Sequence, residues 1–169
     1  MSHALLIIAK KGYQDREFEG VRSALTDAEI TVTLASTEAG TCTGKFGGKE
    51  EAEIALRDID VVSFERVGFI GGPGAEVLKD DVEALRIARD TVAAGIPLGA
   101  ICIAPLILAH AGVLKGKRAT VWDEGGEQAA YLEDHGAQYT GESVTRDGLI
   151  VTGNGPKAAR EFGEVFAGL

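Results

Sequence analysis

The stretch PLGAICIAPLILAHAG, residues 97–112, decides how the fold of this sequence is interpreted. Its first five residues are short and apolar, as is typical of a strand covered on both faces of a sheet. Residues 104–111 then have a helical pattern that stops at a glycine. Cys102 therefore lies at the turn between a buried strand and a helix. The alanines two residues before it and two residues after it leave the room that a sharp nucleophile elbow requires.

Short apolar runs alternate with longer helical patterns on both sides of this stretch. Strands separated by helices predict βαβ units, and hence a doubly wound, mostly parallel sheet with helices on both faces. Because no repeat or linker interrupts the pattern, we expect residues 1–169 to form a single α/β domain. Strands are expected at residues 4–9, 30–35, 67–70, 97–101 and 119–121, with a later hairpin that turns at Asp147-Gly148. Helices are expected at residues 17–28, 78–92, 104–111 and 126–135 and from about Pro156 onward.

The composition is that of an ordinary globular protein. Of the 169 residues, 45% are hydrophobic and 25% are charged, which excludes disorder, collagen and coiled coil. Glycine is in excess, with 23 residues, and much of this excess falls at the ends of the expected elements. The formal net charge is −9 and no basic patch stands out, so we expect no nucleic-acid partner.

The same sequence argues against a membrane, a metal and a cofactor. The N-terminal apolar run is too short for a membrane span and lacks the flanks of a signal peptide, so we expect a cytoplasmic protein. The two cysteines, Cys42 and Cys102, have neither disulfide-framework nor zinc-site spacing. The three histidines, His3, His110 and His135, lie far apart in the sequence.

Three segments follow strands at the edge where open α/β sheets bind ligands. Glu17 comes after the first strand, the run GGPGA (residues 71–75) after the strand at 67–70, and Cys102 after the strand at 97–101. We therefore expect them to converge. Each also has an ordinary interpretation: GGPGA as a tight turn without phosphate-binding spacing, and Glu17 as an acidic residue in a first helical turn.

Cys102 carries the most chemical information. Unpaired N–H groups and the positive dipole end at a helix start are expected to lower the pKa of its thiol. The backbone N–H groups of Ile103 and Gly72 are then placed to stabilise an oxyanion. The alternative is an inert buried thiol, since free cysteine is among the most buried residue types.

Taken together, four motifs resemble the ThiJ/PfpI (DJ-one-like) superfamily over nearly the whole chain. The segment YQDRE, residues 13–17, is similar to the start of that family's first helix, and Glu17 stands at the position of that family's glutamate. FIGG, residues 69–72, is similar to its strand and double-glycine turn. AICIAP at 100–105 is similar to its cysteine elbow, and VTRDGLIVTGNGP at 144–156 to its late hairpin. The resemblance implies a flavodoxin-like fold of the class I glutamine amidotransferase type.

The resemblance also implies roles for individual residues. Cys102 would be the nucleophile, and the Glu17 carboxyl would lie against its sulfur as a proton shuttle. A carboxyl beside a thiolate stays protonated, so we expect the pair to titrate as a unit. Gly71 and Trp122 would contact the substrate, and the assembly would be a homodimer or a larger homo-oligomer.

The function implied is cysteine chemistry on a small reactive carbonyl compound or a glycated substrate, without a cofactor. A 2-oxoaldehyde would be converted to a 2-hydroxy acid, as in a glyoxalase III, or a glycation adduct would be hydrolysed. The first alternative is a redox sensor whose Cys102 is oxidised to a sulfinate. The second is a peptidase or amidase, which is disfavoured because Ile103 stands where protease-like members have histidine. A binding domain with a buried Cys102 is the remaining alternative.

Overall fold

The computed structural model describes residues 2–169 and contains a central sheet, two small sheets and surrounding helices. The strands are β1 (His3–Ile7), β2 (Lys11–Tyr13), β3 (Thr31–Ser36), β4 (Gly40–Gly44), β5 (Lys49–Ala52), β6 (Ile54–Ala55), β7 (Arg66–Phe69), β8 (Leu98–Ile101), β9 (Arg118–Ala119), β10 (Gln138–Tyr139), β11 (Val144–Asp147) and β12 (Ile150–Gly153). The helices are α1 (Asp15–Asp27), α2 (Ala75–Leu78), α3 (Val82–Ala93), α4 (Pro105–His110), α5 (Glu127–Asp134) and α6 (Ala159–Ala167). Short 3-10 turns cover Leu56–Asp58, Val61–Ser63 and Pro156–Ala158.

The central sheet has seven strands in the order β11-β12-β8-β7-β1-β3-β6. Every neighbouring pair is parallel except the hairpin of β11 and β12 at one edge. The predicted α/β class with a mostly parallel sheet is therefore confirmed, as is the hairpin around Asp147-Gly148. The chain first moves outward from β1 to β3 and later continues on the other side of β1 with β7, so the winding direction changes between β1 and β7.

The core lies on both faces of this sheet. The continuous apolar run of β1 is buried from Ala4 to Ile7, as expected of a strand without a solvent face. On one face, α6 packs beside α1 and against β8 and β12 through Phe162 and Phe166, both almost fully buried. The helices α3 and α4 pack against each other and against β8. No helix among residues 2–169 is long and apolar enough to cross a membrane.

The predicted helix at 78–92 is wrong in its extent and in its buried face. Asp81 interrupts it, because its side chain accepts hydrogen bonds from the backbone N–H groups of Glu83 and Ala84 and so begins α3 anew. The helix was predicted from apolar residues at helical spacing, and two of these, Val82 and Val92, are exposed, whereas Ala88 is buried. The buried residues of α3 are Ala84, Ile87, Ala88 and Thr91.

The segment between β3 and β7 contains strands that the sequence pattern did not predict. In it, β4 and β5 form an antiparallel pair that joins β2 in a separate three-stranded sheet, with order β2-β4-β5. These strands are rich in glycine, threonine and charged residues, so they show no apolar run. The short strand at 119–121 also shifts to β9, which pairs with β10 in a third sheet.

Because α6 is held to the sheet by two phenylalanines, we expect Phe166→Ala to destabilise the fold by about 3–5 kcal/mol. The substitution removes a ring that is 0% exposed and leaves a cavity that the sheet cannot collapse to fill. Urea unfolding followed by circular dichroism measures the change. The matched control, Val62→Ala, alters a side chain that is 68% exposed and should shift the free energy by less than about 0.5 kcal/mol. Equal effects of the two substitutions would contradict this view of the core.

Candidate functional site

The crevice beyond the carboxyl ends of β1 and β7 is where an open α/β sheet with this winding binds its ligands. Cys102 follows β8, the neighbour of β7, and Glu17 lies in the first turn of α1. Gly71 and Gly72 follow β7. The structure therefore brings the expected residues to one edge of the sheet.

Cys102 has an unusual backbone conformation. Its φ is +65°, in the left-handed region that residues with a Cβ adopt only when their surroundings hold them there, at a cost of about 1–3 kcal/mol. Two hydrogen bonds hold it: its N–H donates to the carbonyl of Gly153 at 2.9 Å, and its carbonyl accepts from the N–H of Trp122 at 2.8 Å. The late hairpin and the segment after β9 thus fix the turn that presents the sulfur.

Glu17 is positioned by the start of α1. The Gln14 side chain caps this helix by accepting hydrogen bonds from the N–H groups of Arg16 and Glu17, at 2.7 and 3.2 Å. The backbone N–H of Gln14 donates to the carbonyl of Gly71 at 2.9 Å, which ties the helix start to the turn after β7. The Glu17 side chain is fully buried as a result.

The two oxygens of Glu17 have different surroundings. Oε1 accepts a hydrogen bond from the N–H of Gly71 at 3.1 Å. Oε2 is buried and has no hydrogen-bond partner among residues 2–169. The thiol of Cys102 is close enough to interact with the carboxyl group. Because a buried carboxylate with an unpartnered oxygen is costly, the protonated form of Glu17 is favoured beside this thiol.

Gly71 is needed because the cysteine and the glutamate crowd the same point. A Cβ atom at this position would lie 2.5 Å from Cys102 Cβ and 2.8 Å from Glu17 Oε1. Gly71 does not line the cavity described below, and its N–H and carbonyl are already bonded to Glu17 and Gln14. Its position is that of a support for Glu17, while its expected contact with the substrate stays a prediction.

Burial determines how the pair ionises. It raises the pKa of the Glu17 carboxyl to about 7, against the opposing effects of the Cys102 thiol, the Gly71 N–H and the charge of Lys45. Burial also raises the pKa of the Cys102 thiol, and a charge on Glu17 acts in the same direction. The lowered thiol pKa expected from the helix start is therefore wrong, because α4 is only 6 residues long and the sulfur is nearly out of water.

Two backbone donors oppose this trend at the sulfur. The N–H groups of Gly72 and Ile103 both hydrogen bond to Cys102 and favour a negative charge there. They come from the two loops that were expected to meet. One negative charge shared by the thiol and the carboxyl is the arrangement that these donors stabilise.

The sulfur opens into a cavity of about 340 Å³. Trp122, which is 36% exposed, forms part of its wall. The lining residues are Gln14, Lys45, Gly72, Pro73, Glu76, Cys102, Ile103, Trp122, Gln128 and Pro156. A wider hollow of about 620 Å³ lies over β3, β4 and β5, but it is an open surface groove lined by residues such as Arg22 and Glu50 and contains no cysteine.

Sequence reasoning missed several of these lining residues. Lys45 lies in a segment where no element was predicted, Gln128 is an ordinary polar residue of a predicted helix, and Glu76 lies between the glycine run at 71–75 and the helix expected at 78–92. Gln14 had no such signal, because the residues that favour a helix N-cap are serine, threonine, aspartate and asparagine. No spacing along the sequence relates Lys45 to Cys102. The loop that contains Lys45 reaches this edge of the central sheet only through the small sheet of β2, β4 and β5.

The other histidine and cysteine candidates lie away from the cavity. Nδ1 of His110 is 2.5 Å from the carbonyl oxygen of Lys79, and its ring is 6.3 Å from that of His135. Cys42 is buried in β4, with its sulfur 3.8 Å from the carbonyl oxygen of Gly40. The group that follows Cys102 along the chain is the apolar side chain of Ile103.

The fold and the residues at this edge of the central sheet define an α/β protein with a buried cysteine–glutamate pair. Known proteins are similar to it in both sequence and fold. The profile of the DJ-1/PfpI family matches residues 2–168. An uncharacterized protein of Methanocaldococcus jannaschii is 31% identical over 160 residues, which cover 94% of this chain and 78% of that protein. The chain belongs to the DJ-1/PfpI family, which confirms the resemblance noted in the sequence.

Two further comparisons extend this relationship. A deglycase of Thermococcus kodakarensis is 28% identical over 156 residues, which cover 90% of each chain. The crystal structure of a ThiJ/PfpI domain protein from Brachyspira murdochii superimposes with a TM-score of 0.94 at 26% identity, covering 98% of this chain and 94% of that one. The backbone is therefore conserved more closely than the sequence.

The raised pKa of Glu17 makes the stability of the fold depend on pH. The carboxyl titrates near 4.5 in the unfolded chain and near 7 in the fold, so between these values the folded state binds more protons and the free energy of unfolding falls as the pH rises. Glu17→Gln removes this loss and keeps an oxygen for the Gly71 N–H. In urea unfolding, the free energy of unfolding of the variant relative to that of the wild type should therefore rise from about pH 5 to about pH 8, by on the order of 3 kcal/mol. A difference that is constant across this range would contradict the raised pKa.

Proposed function

We propose that this protein is a cysteine-dependent enzyme that acts on reactive carbonyl compounds without a cofactor. The observation that carries the proposal is the buried carboxyl of Glu17 beside a thiol that the backbone holds at φ +65°, with two N–H donors on the same sulfur. This arrangement supplies a nucleophile, a proton carrier and a site for an oxyanion.

The chemistry starts with addition to an aldehyde. The sulfur of Cys102 forms a bond to the aldehyde carbon of a 2-oxoaldehyde, and Glu17 accepts the thiol proton. The N–H groups of Gly72 and Ile103 stabilise the alkoxide, and Glu17 then returns the proton to it, which gives a hemithioacetal and leaves Glu17 as a carboxylate. Ile103 and Gly72 thus act through the backbone alone.

The second stage moves a proton between two carbons. Glu17, as a carboxylate, removes the proton from the former aldehyde carbon and returns it to the neighbouring carbonyl carbon, while the hydroxyl proton shifts to the other oxygen. The hemithioacetal becomes a 2-hydroxy thioester. Water then cleaves the carbon–sulfur bond, which releases the 2-hydroxy acid and restores the thiol, so that one water is consumed for each aldehyde.

The pKa of Glu17 suits a carboxyl that both accepts and returns a proton. A group that titrates near pH 7 is present in both forms at neutral pH, and general acid–base catalysis is most efficient there. Deglycation would use the same thiol, carboxyl and N–H groups, because the adduct of a carbonyl compound with an amine also has a carbon that the thiol can attack. The name of the Thermococcus relative supports that second substrate class.

Turnover of methylglyoxal to lactate tests the proposal. We expect the wild type to form lactate, Cys102→Ala to fall to the uncatalysed rate, and Glu17→Gln to lose about a hundredfold or more, since a general base contributes roughly 10²–10⁴ in rate. The wild-type rate should rise with pH through about 7 as the pair loses its first proton.

The control for folding is Cys42→Ala, which removes a buried thiol outside the cavity. It should keep the lactate activity once its circular dichroism spectrum matches the wild type. Lactate formation that survives in Cys102→Ala would contradict the proposed role of this cysteine.

A second candidate, a redox sensor, rests on a different observation. Below about pH 7 the Glu17 carboxyl is protonated and can donate a hydrogen bond to an oxygen on the sulfur of Cys102. The N–H groups of Gly72 and Ile103 point at the same place. Hydrogen peroxide would oxidise the thiolate to a sulfenate with loss of water, and a second peroxide would give the sulfinate.

Mass spectrometry after mild peroxide treatment separates the two candidates. A sensor should gain two oxygen atoms on the peptide that contains Cys102 and form no lactate, and Glu17→Gln should pass more readily to the sulfonate because its amide is a weaker hydrogen-bond donor. A Cys102 that resists both peroxide and alkylating reagents would contradict both candidates. Peptidase chemistry ranks below them, because neither Ile103 nor the distant His110 can act as a base for Cys102.

A further inference from the structure

The loop between β4 and β5, residues 44–48, reaches the rim of the cavity and is held there by one carboxylate. Asp15 accepts hydrogen bonds from the N–H groups of Phe46 and Gly48, at 2.9 and 2.8 Å. Gly44 makes room for this carboxylate, since a Cβ atom there would lie 2.4 Å from Asp15 Oδ1. Asp15 therefore fixes the loop in a defined position.

The same carboxylate connects this loop to the catalytic pair. Asp15 is the first residue of α1 and stands two positions before Glu17. The loop backbone is tied in addition by the N–H of Lys45, which donates to the carbonyl of Tyr13 at 2.8 Å. The side chain of Lys45 lines the cavity, and its charge is felt at the Glu17 carboxyl.

Two cations meet an exposed aromatic ring on this rim. The ring of Phe46 is 56% exposed, and its centroid lies 5.0 Å from Cζ of Arg16 and 5.3 Å from Nζ of Lys45. Among residues 2–169 neither cation forms a salt bridge with a carboxylate. Both cations thus lie within cation–π range of this one ring.

The remaining charge of the cavity is balanced. Glu76, which also lines it, forms an ion pair with Lys79 at 3.4 Å. The carboxylate of Asp15 also lies at the loop of residues 44–48, and its two oxygens accept hydrogen bonds from two of the loop's backbone N–H groups. Lys45 is therefore a cation of the cavity lining without a salt bridge among residues 2–169, in a chain whose formal net charge is −9. Such a cation attracts a small anion at close range.

We propose that Lys45 binds an anionic group of the substrate, so that the enzyme prefers carbonyl compounds that carry a carboxylate or a phosphate. This inference rests on the proposed function, because it assigns the substrate class of the same site. The cavity of about 340 Å³ leaves space beyond a three-carbon aldehyde bound at Cys102, given that a water molecule occupies about 30 Å³. The aldehyde end lies at the sulfur and the anionic end at the rim.

Two alkylating reagents of nearly the same shape test this assignment without any turnover. Iodoacetate and iodoacetamide both form a bond from the Cys102 sulfur to carbon as iodide leaves, but only iodoacetate is an anion. The rate at the Cys102 peptide is followed by mass spectrometry at low ionic strength, and the ratio of the two rates is compared among variants. We expect Lys45→Gln to lower the ratio of iodoacetate to iodoacetamide by roughly fivefold or more, and Lys45→Arg to restore it.

The matched control is Lys49→Gln. It removes the same charge from the neighbouring strand β5, but the Lys49 side chain lies in the wider hollow outside the cavity. The ratio should stay within about twofold of the wild type, because the Lys49 side chain does not line the cavity and cannot contact an anion bound there. Because a ratio is compared, any change in the fraction of Cys102 that is thiolate cancels.

Substrates then distinguish the two kinds of anion. The carboxylate-bearing 4,5-dioxopentanoate and the phosphate-bearing 3-phosphooxy-2-oxopropanal are compared with neutral methylglyoxal by kcat/KM. Lys45→Gln should lower the preference for at least one of them by roughly fivefold or more, and the one affected more identifies the anionic group.

The outcomes separate the inference from the function that it rests on. If Cys102 reacts with both reagents and the ratios of wild type and Lys45→Gln agree within twofold, Lys45 does not select anions and the proposed function stands. If Lys49→Gln lowers the ratio as much as Lys45→Gln, net charge rather than the rim is responsible and the inference is overturned. If Cys102 reacts with neither reagent, both the inference and the proposed function fail.

Discussion

The contact between the buried carboxyl of Glu17 and the thiol of Cys102 is the constraint on which the site depends. Oε1 accepts a hydrogen bond from the N–H of Gly71, while Oε2 is buried without a hydrogen-bond partner among the described residues, and the thiol interacts with the same carboxyl group. A charge on both groups is too costly in this environment, so the pair carries one proton or two across the neutral pH range. The strained backbone at Cys102 persists because hydrogen bonds from two other segments hold it.

The surrounding residues support the contact between Glu17 and Cys102 through backbone groups more than through side chains. Gly71, Gly72 and Ile103 contribute N–H groups, and these cannot be altered by a simple side-chain substitution.

Sequence patterns predicted the central sheet well and the rest less well. The strands that became β1, β7 and β8 are continuous apolar runs because both of their faces are buried, so their signal is strong. The helix expected at 78–92 was divided by the cap at Asp81, whose polar side chain competes with the helix that the apolar spacing suggested. The small sheet of β2, β4 and β5 gave no signal, since its strands are short, polar and partly exposed.

For the site, sequence pattern alone predicted the candidate reactive residues and their position at one edge of the sheet. A cysteine between a buried strand and a helix, a glutamate in the first helix and a double glycine after a strand follow from local pattern and winding rules. Only the tertiary structure decided the pKa of Glu17, the raised pKa of the thiol and the place of Lys45 at the rim. Desolvation of a group depends on all the residues packed around it. The position of Lys45 relative to Glu17 depends on a loop that Asp15 holds in place. Neither follows from the spacing of residues along the chain.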